Sequence, residues 1–452
     1  MLKKTGRIGI FLFALVLVTS IVLFTGCGGG GVSLKGSNIV KASWWQTYNV
    51  NTYEPRNEGE ERELEYRRRV MAEQGFSFEI IELAGYDDIF PLVVSNIMAG
   101  NKAYSMYEVD LAMATTLFKQ GLLFPVGNSR AVNMKNREMV AGVAQVYDSI
   151  VEEFLTFGGV QYGWQMGLPN DGWGTTMLFF NPAHLVAAGM HPEHLYNLQR
   201  DNNWTWDSFL EVCRRLTRDT TGDGIIDTYA VHIDDARAFL QGLVYGNGAN
   251  FVTLDAQGRA HLATNSPAFL EAFAFFNQLI NEGLVATTPT YDWGQNWTAF
   301  VDGRIAMTFD PEWRKGQMNE NFEAGYVLPP RGPRQNTLRI DAQNSACVIP
   351  NIFSPAEVDV ILKANDLFYA PVDTDWFQGH FWASRNLRDV TETVAMSRDG
   401  RYLTPRNWSV IPGFPFDDFI NDFRNGLGGA NPAQIVEQWT PRLQSAIDDF
   451  NR

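Results

Sequence analysis

The sequence predicts an α/β fold of two lobes that a hinge joins. Strand-like and helix-like segments alternate over residues 38–125, which is the pattern of an α/β domain. At residues 157–180 the chain becomes rich in glycine and aromatic residues, and at 326–350 a proline-rich loop precedes a new strand. Two such changes indicate two crossings between lobes, so each lobe is built from segments that are not contiguous in the sequence.

The first part of the chain contains three predicted strands with helices between them. The strands are "NIVKASWW", "FSFEIIEL" and "SMYEVD". One helix is predicted from about Gly59 to Gln74, and a second in "YDDIFPLVVSNIMAG", closed by Gly100. Strand–helix–strand units of this length predict a mainly parallel sheet, whose ligands lie beyond the carboxyl ends of the strands. Those ends carry Trp45, Tyr48 and Asp110.

Three later helices are predicted from their first residues. Ser266, Ser354 and Asn431 each offer a capping side chain followed by proline. Glu357 and Gln434 stand three residues after the second and third of these caps, which is the spacing of a capping box. The last helix has one apolar face that predicts docking, formed by Ile435, Trp439, Leu443, Ile447 and Phe450.

The amino-terminal residues have the pattern of a secretion signal. Basic residues precede an uncharged run that ends at Phe24, and two small residues then precede Cys27 and four glycines. This resembles a bacterial lipobox, with Phe24 where leucine is usual. We expect residues 1–26 to be a cleaved lipoprotein signal peptide and residues 27–37 a flexible tether that begins at a lipidated Cys27. The alternative is an uncleaved membrane anchor with an incidental cysteine.

The net charge argues against nucleic-acid binding, and the two later cysteines lie in segments expected to be buried. The net charge is −15, and loss of Lys3, Lys4 and Arg7 with the signal takes it to −18. Such a surface repels phosphate backbones, so nucleic acid is not an expected partner. Cys213 and Cys347 lie in apolar or helical segments and are interpreted as buried thiols, although a disulfide between them stays open.

Six segments in a fixed order resemble a known family, the extracellular solute-binding proteins of ABC importers, in the carbohydrate-binding group related to maltose-binding protein. They are "WW" after the first strand, "VDLAMATTLFKQGLLFPV", "MLFFNPAHLVAAGM", "NWTWDSFLEVCRRLTRDTTGDGIIDTYA", "FVDGRIAMTFDPEW" and "AGYVLPPRGP". The fifth, in which "F-x-x-G-x-x-A-M" precedes a tryptophan, is the most specific. The resemblance covers nearly the whole chain after the predicted signal.

The resemblance implies a periplasmic-binding-protein-like fold, in which two α/β lobes close on a ligand in the cleft between them. We expect the first lobe at residues 38–165 plus 341–375 and the second at 166–340 plus 376–452. The resemblance further implies a monomer that is not an enzyme. Together with the lipidation predicted at Cys27, it implies a protein held outside the cytoplasm by a lipid anchor. It would bind a mono- or oligosaccharide and deliver it to the transmembrane subunits of an ABC permease, with no cofactor required.

Candidate ligand-binding residues follow from the chemistry of sugars. Sugar rings have apolar C–H faces and rims of hydroxyl groups, so aromatic rings and polar side chains bind them together. Trp313 matches the family's tryptophan after "A-M" and is the leading candidate. The others are Asp310, Trp45, Tyr48, Asp110, Asp171, Trp173, Trp293 and Trp297, with Asp292 beside them. The alternative for each tryptophan is core packing.

The segment "DTTGDGIID" has the oxygen-ligand spacing of a calcium loop. The ligands at positions one, three, five, seven and nine would be Asp219, Thr221, Asp223, the carbonyl of Ile225, and Asp227. Gly224 at position six permits the sharp turn, whereas position twelve is Ala230 rather than the usual glutamate. A structural calcium ion is one interpretation, and a turn held by aspartate side chains is the other.

Two further functions compete with solute binding for transport. A glycoside hydrolase needs two carboxyl groups about 5 to 10 Å apart across a cleft. The two aspartates within Asp87–Asp88 and within Asp234–Asp235 are adjacent in the chain and do not face each other across a cleft. Both pairs are therefore interpreted as solvated surface residues. A sensory lipoprotein that binds the same solute without transporting it stays open from the sequence.

Overall fold

The computed structural model describes most of the chain. The described residues are 32–55, 58–129, 131–132, 139–140, 143–144, 149–165, 175–232, 236–286, 294–317, 324–342, 345–370, 392–393, 395–397, 401–425 and 431–452. Among the helices in these ranges, none combines the length and apolar character that crossing a bilayer requires.

Strands and helices alternate through both halves. The strands are β1 (Asn38–Ser43), β2 (Tyr48–Asn49), β3 (Ser77–Glu82), β4 (Met106–Val109), β5 (Met139–Val140), β6 (Val143–Ala144), β7 (Thr156–Phe157), β8 (Val160–Gln161), β9 (Gly163–Trp164), β10 (Thr176–Phe180), β11 (Val231–His232), β12 (Val252–Leu254), β13 (Ala260–Leu262), β14 (Val285–Ala286), β15 (Met307–Pro311), β16 (Gly325–Val327), β17 (Ile340–Ala342), β18 (Ala346–Val348) and β19 (Leu403–Pro405). The helices are α1 (Glu58–Gln74), α2 (Tyr86–Met98), α3 (Leu111–Lys119), α4 (Ser149–Phe154), α5 (Pro182–Ala187), α6 (His194–Arg200), α7 (Trp206–Leu216), α8 (Ala236–Gly246), α9 (Pro267–Asn281), α10 (Gln295–Val301), α11 (Pro355–Phe368), α12 (Ala395–Ser397), α13 (Phe416–Asn425) and α14 (Pro432–Asn451).

The first lobe is built on a six-stranded sheet in the order β2-β3-β1-β4-β18-β9. β1 pairs in parallel with β3 and β4, as the predicted strand–helix–strand units require. The three other pairings, β2 with β3, β18 with β4 and β9 with β18, are antiparallel. The prediction of a mainly parallel sheet is therefore wrong for this sheet as a whole. β18 and β9 border the crossings to the other lobe rather than a helical crossover, so no crossover imposes a parallel direction on them.

The second lobe is built on an antiparallel sheet in the order β15-β10-β16. The parallel pair β11–β14 lies beside it, since the Met307 amide donates to the carbonyl of Ala230 at 2.8 Å. Aromatic side chains pack helix α8 on this sheet: the Phe239 ring stacks on the Phe309 ring with centroids 4.3 Å apart. The sheet and its helices thus share one apolar core.

The carboxyl-terminal segment packs on the second lobe. The side chain of Asn451, at the end of α14, exchanges two hydrogen bonds of 2.8 Å with the backbone of Ala260 in β13. β17 pairs in parallel with β19, and the Asp341 carboxylate accepts from the Thr176 amide at the start of β10. Asp341 and Ala342 therefore lie with the second lobe, next to the boundary predicted at residue 341.

The predicted helix starts are confirmed at Ser266 and Ser354, whose side chains accept from the third amide of their helices. Ser354 and Glu357 form the predicted capping box. At Asn431 the side chain accepts instead from the amide of Ala433, so the capping box predicted with Gln434 is replaced by a shorter turn. The final helix buries four of the five residues predicted for its apolar face, all but Phe450.

Both cysteines in the described ranges are buried free thiols, Cys213 in α7 and Cys347 in β18. They lie in different lobes, and the interpretation as buried thiols is confirmed. Burial raises the pKa of the Cys347 thiol to about 12, so this thiol stays protonated and unreactive.

Candidate functional site

Two stretches of chain connect strand ends of the first sheet to strand ends of the second lobe. The carboxyl end of β4 pairs with the start of β18, and residues 343–344 connect that start to β17 in the second lobe. Because a trans peptide unit spans 3.8 Å between Cα atoms, these two residues hold Ala342 and Ser345 within about 11 Å of each other. The start of β10, which residues 166–174 connect to β9, lies beside the end of β15. We call the strand ends that border these crossings the cleft edges, because the expected cleft lies between the lobes.

A buried ion pair lies at the first edge. Lys41 Nζ is 2.8 Å from Glu108 Oε2, and the two residues are 4% and 2% exposed. Ser345 Oγ donates to Glu108 Oε1 at 2.6 Å, and the side chain of the half-buried Trp45 also hydrogen-bonds to this carboxylate. Strands β1, β4 and β18 thus bring one carboxylate, one ammonium and one aromatic ring to the same place.

Attraction between Lys41 and Glu108 keeps both groups ionised despite their burial. Burial by itself would raise the pKa of Glu108, but the Lys41 ammonium and the hydrogen bonds from Ser345 and Trp45 hold that pKa below its ordinary value. Burial would likewise lower the pKa of Lys41, and attraction to Glu108 keeps it well above its ordinary value. Both groups are therefore charged at neutral pH, as a buried pair requires.

Asp110 follows directly at the same edge. Its carboxylate caps α3 by accepting from the Met113 amide at 2.7 Å, and it accepts from the Tyr86 hydroxyl at 2.6 Å. Tyr86 is half exposed and packs edge-on against Trp44 with ring centroids 5.9 Å apart. Trp44, Tyr86 and Asp110 thus form an aromatic and acidic surface beside Trp45.

A second buried ion pair lies at the end of β15 in the other lobe. Arg314 Nε donates to Asp310 Oδ1 at 3.2 Å, and the opposite oxygen of Asp310 accepts from Asn296 Nδ2 at 2.6 Å and Thr308 Oγ1 at 2.9 Å. The Arg314 guanidinium lies 4.5 Å from the centroid of the half-buried Trp313 ring. Trp313 thus lies against this buried ion pair, as Trp45 lies against Lys41–Glu108.

A third buried ion pair lies in the second lobe, next to the crossing at residues 343–344. Arg406, next to β19, forms a buried ion pair with Asp341 of β17. Since Asp341 also accepts from Thr176, this pair joins the two strands that enter and leave the second lobe. The cleft edges are therefore anchored on both sides by paired charges rather than by apolar packing alone.

Three of the predicted ligand-binding residues have buried side chains. Tyr48 packs on the Phe368 and Tyr53 rings and its hydroxyl accepts from Arg67. Trp297 is 6% exposed and meets the Phe179 ring edge-on, and Asp310 is 0% exposed. Tyr48 belongs to a strand that pairs inside the first lobe, and the other two pack against the second sheet. In this conformation these side chains offer a solute no open surface.

The remaining predicted site residues either lie at the cleft edges or fall outside the described residues. Trp45, Asp110 and Trp313 are partly exposed residues at the cleft edges. Asp171, Trp173, Asp292, Trp293 and the lipidation site Cys27 lie outside the described residues. Contact with a ligand stays a prediction for all of these residues.

The predicted calcium loop is held by its own hydrogen bonds. Asp219 accepts from the amides of Gly222 and Gly224, each at 2.6 Å, and Asp227 accepts from Thr220. The amides of Gly224 and Gly222 hold the pKa of Asp219 below its ordinary value. Within the described part of the chain, no three His, Cys, Asp or Glu side chains converge as metal ligands. The geometry is that of the aspartate-held turn, and calcium binding stays a prediction.

Comparison with known proteins identifies the family. Residues 84–343, more than half of the chain, match the family described as bacterial extracellular solute-binding protein. The chain belongs to this family. The resemblance found in the sequence is thereby confirmed, and the relatives are binding proteins that work outside the cytoplasm. No curated protein sequence is similar enough to match.

Solved structures of this family have the same two-lobed fold. The cyclic alpha-maltosyl-1,6-maltose binding protein from Arthrobacter globiformis is 14% identical with a TM-score of 0.65, over 91% of this chain and 99% of its own. UgpB from Mycobacterium tuberculosis, in complex with glycerophosphocholine, is 16% identical with a TM-score of 0.62, over 93% and 99%. A cyclo/maltodextrin-binding protein complexed with maltotetraose is 14% identical with a TM-score of 0.61, over 94% and 100%. This chain therefore spans nearly the whole length of each of these three proteins.

Sequence reasoning missed the charges that hold the site. Lys41, Glu108 and Arg314 were not candidates, although each is a charged residue inside or beside an apolar strand segment. A charge in such a segment is the one signal that would have pointed to a buried pair.

Proposed function

We propose that this solute-binding protein is the lipid-anchored substrate-binding component of an ABC-type sugar importer. It binds a mono- or oligosaccharide by closure of its lobes and delivers the sugar to the transmembrane permease subunits. It acts by binding, without turnover, and as a monomer. The observation that carries the proposal is one half-buried tryptophan at each cleft edge, Trp45 and Trp313, each next to a buried ion pair.

This arrangement suits an uncharged, ring-shaped solute. A tryptophan whose orientation is fixed presents a flat apolar face at little entropic cost, and such a face matches the C–H face of a sugar ring. Asp110 and Tyr86 provide acceptor and donor atoms for hydroxyl groups at the same edge. The buried cations at the edges, Lys41, Arg314 and Arg406, are each paired with a carboxylate, so their charge does not favour an anionic solute. Relatives that bind maltodextrins support this substrate class.

The proposed anchor lies at Cys27. Cleavage before this cysteine and acylation of its sulfur would leave the glycine run at residues 28–31 as a tether. The predicted tether to residue 37 is too long, because Leu34 is 3% exposed in the core of the first lobe and the Gly36 amide donates to the Gly75 carbonyl at 2.7 Å. Radiolabelled palmitate incorporated into the parent but not into Cys27→Ser supports the anchor. Release of the parent itself into the medium would contradict it.

Thermal unfolding of the protein without residues 1–27 tests the substrate class. Maltose, maltotriose, maltotetraose, glucose and glycerophosphocholine are each added at 1 mM. A sugar whose Kd is about 10 μM then stabilises the folded state by RT ln(1 + [L]/Kd), about 2.7 kcal/mol. We expect the melting temperature to rise with at least one saccharide.

Two outcomes would contradict the proposal. A rise with glycerophosphocholine and with no saccharide would assign the cleft to a phosphodiester headgroup. Conversion of the bound sugar by the purified protein, followed by chromatography over a day, would favour the hydrolase interpretation.

A further inference from the structure

Glu108 lies where two of the connections between the lobes, at residues 166–174 and 343–344, leave the first sheet. Its Oε1 accepts from Ser345 Oγ at 2.6 Å and from Gln165 Nε2 at 3.3 Å. Gln165 precedes the connection at residues 166–174, and Ser345 follows the connection at 343–344. Gln165 Nε2 also donates to Ser345 Oγ at 2.7 Å. The two connections are therefore joined to one carboxylate and to each other.

The same carboxylate holds the ring at the cleft edge. Glu108 Oε2 binds Lys41 Nζ, and the Trp45 side chain is hydrogen-bonded to this carboxylate. Lys41 lies in β1 and Trp45 two residues after its end, so Glu108 ties the end of β1 to the crossings.

Because Glu108 and its partners are buried, we expect a movement of one partner to displace the others. Glu108 and Lys41 are almost inaccessible to water, and Ser345 is 7% exposed. A buried charge that loses a partner finds no water to replace it, and the loss is costly. A displacement of Trp45 or of either connection therefore has to be matched by the other partners of Glu108.

We propose that Glu108 is a positioning residue that couples the orientation of the Trp45 ring to Gln165 and Ser345, which border two of the connections between the lobes. The inference rests on the proposed function only in taking Trp45 as a ring that contacts the solute. A solute that seats against this ring then acts on both connections through one carboxylate. Closure of the lobes in turn fixes the ring.

A double-mutant cycle in the solute-free protein tests the coupling. Trp45→Phe keeps an aromatic ring but removes the indole N–H, and Ser345→Ala removes the hydroxyl at the connection. Both leave the Lys41–Glu108 pair intact. The matched control is Ser105→Ala, another buried serine, which accepts from the Val40 amide near the opposite end of β1. Urea unfolding gives the stability of each single and double variant.

We expect Trp45→Phe with Ser345→Ala to be clearly less destabilising than the sum of the two single changes. Trp45→Phe with Ser105→Ala should equal the corresponding sum, because separated sites act independently. A cycle that is additive for Ser345 as well would overturn the inference.

Fluorine NMR of protein labelled with 5-fluorotryptophan gives a second readout. The Trp45 resonance is the one that Trp45→Phe removes. We expect Ser345→Ala to shift it and Ser105→Ala to leave it in place, whereas an unmoved resonance in Ser345→Ala would also overturn the inference. Neither readout needs a solute. Failure of the coupling is thus distinct from failure of the proposed function, which appears as no thermal shift with any saccharide.

Discussion

One tryptophan side chain at each cleft edge lies against a buried ion pair. Arg314 lies against Trp313, and Asp310 holds Arg314. Asp310 was predicted to bind the ligand; in the structure it is fully buried and paired with Arg314, and contact with a ligand stays a prediction. The pattern "DPEWR" thus contains both members of an ion pair four residues apart, Asp310 and Arg314, with Trp313 beside the arginine.

Trp313→Ala should weaken binding of the saccharide that gives the thermal shift. Loss of one stacked ring removes about 1 kcal/mol beyond the buried area, so we expect Kd to rise about tenfold or more by isothermal titration. The control is Trp439→Phe in α14, a buried tryptophan remote from the cleft edges, whose indole N–H donates to Asp422. It should lower the melting temperature and leave Kd unchanged. Unaltered affinity in Trp313→Ala would remove Trp313 from the site.

Among the elements, helix α11 depends on its first turn. Ser354 and Glu357 cap it reciprocally, and Lys102 Nζ lies 2.7 Å from Glu357 Oε1. The hydrogen bond from Lys102, then the amide of Ser354, holds the pKa of Glu357 at about 2. Because this pKa lies below the ordinary 4.5, the stabilisation is complete above about pH 4.5 and is lost as the pH falls toward 2.

We expect Ser354→Ala to lower the free energy of unfolding at pH 7 by about 1 kcal/mol. Glu357→Gln should cost less, since this carboxylate is exposed to water and screened. It should also reduce the loss of stability between pH 5 and pH 3, measured by urea unfolding. Glu437→Gln, an exposed glutamate of α14, should keep the parent's pH dependence. An unchanged slope in Glu357→Gln would contradict the assignment.

Treatment with EDTA distinguishes the two interpretations of the loop from Asp219 to Asp227, which are a calcium site and a turn held by its own hydrogen bonds. If its hydrogen bonds suffice, EDTA leaves the melting temperature unchanged. A bound calcium ion instead predicts a lower melting temperature in EDTA that calcium restores and magnesium does not. Asp223→Asn separates the two further, because it removes a charged ligand but can still accept from the Ile225 amide, as Asp223 does at 2.8 Å.

At the scale of the whole molecule, helix α3 of the first lobe touches the end of the chain. Lys119 Nζ donates to the carbonyls of Asp449 at 3.2 Å and Phe450 at 2.6 Å, in the last turn of α14. A cation at a helix carboxyl end is stabilising, and this one bridges the lobes. The contact therefore contributes to the balance between open and closed arrangements.

Lys119→Met should favour the open arrangement. We expect a larger radius of gyration by small-angle X-ray scattering of the solute-free protein, and weaker sugar binding because closure becomes costlier. Lys102→Met is the matched control, since its partner Glu357 lies in the same lobe. It should leave the radius of gyration unchanged. Equal radii for parent and Lys119→Met would show that this contact does not affect opening.

The sequence by itself determined the family, the two-lobed α/β class and most element positions in the first lobe. These depend on local signals: alternation predicted β3, and the Ser-Pro start predicted α11. Local patterns also placed Trp45 and Asp110 near strand ends, and the family motif pointed to Trp313; the structure has all three residues close to the end of a strand.

Only the tertiary structure decided the direction of β18 and β9, and which candidate side chains are buried. Glu108 meets Lys41, Gln165 and Ser345 across separations of 57 to 237 residues. No local pattern encodes such a meeting, because pairing of buried charges depends on which strands become neighbours. The same holds for Tyr48 and Trp297, whose exposure depends on the elements that pack over them.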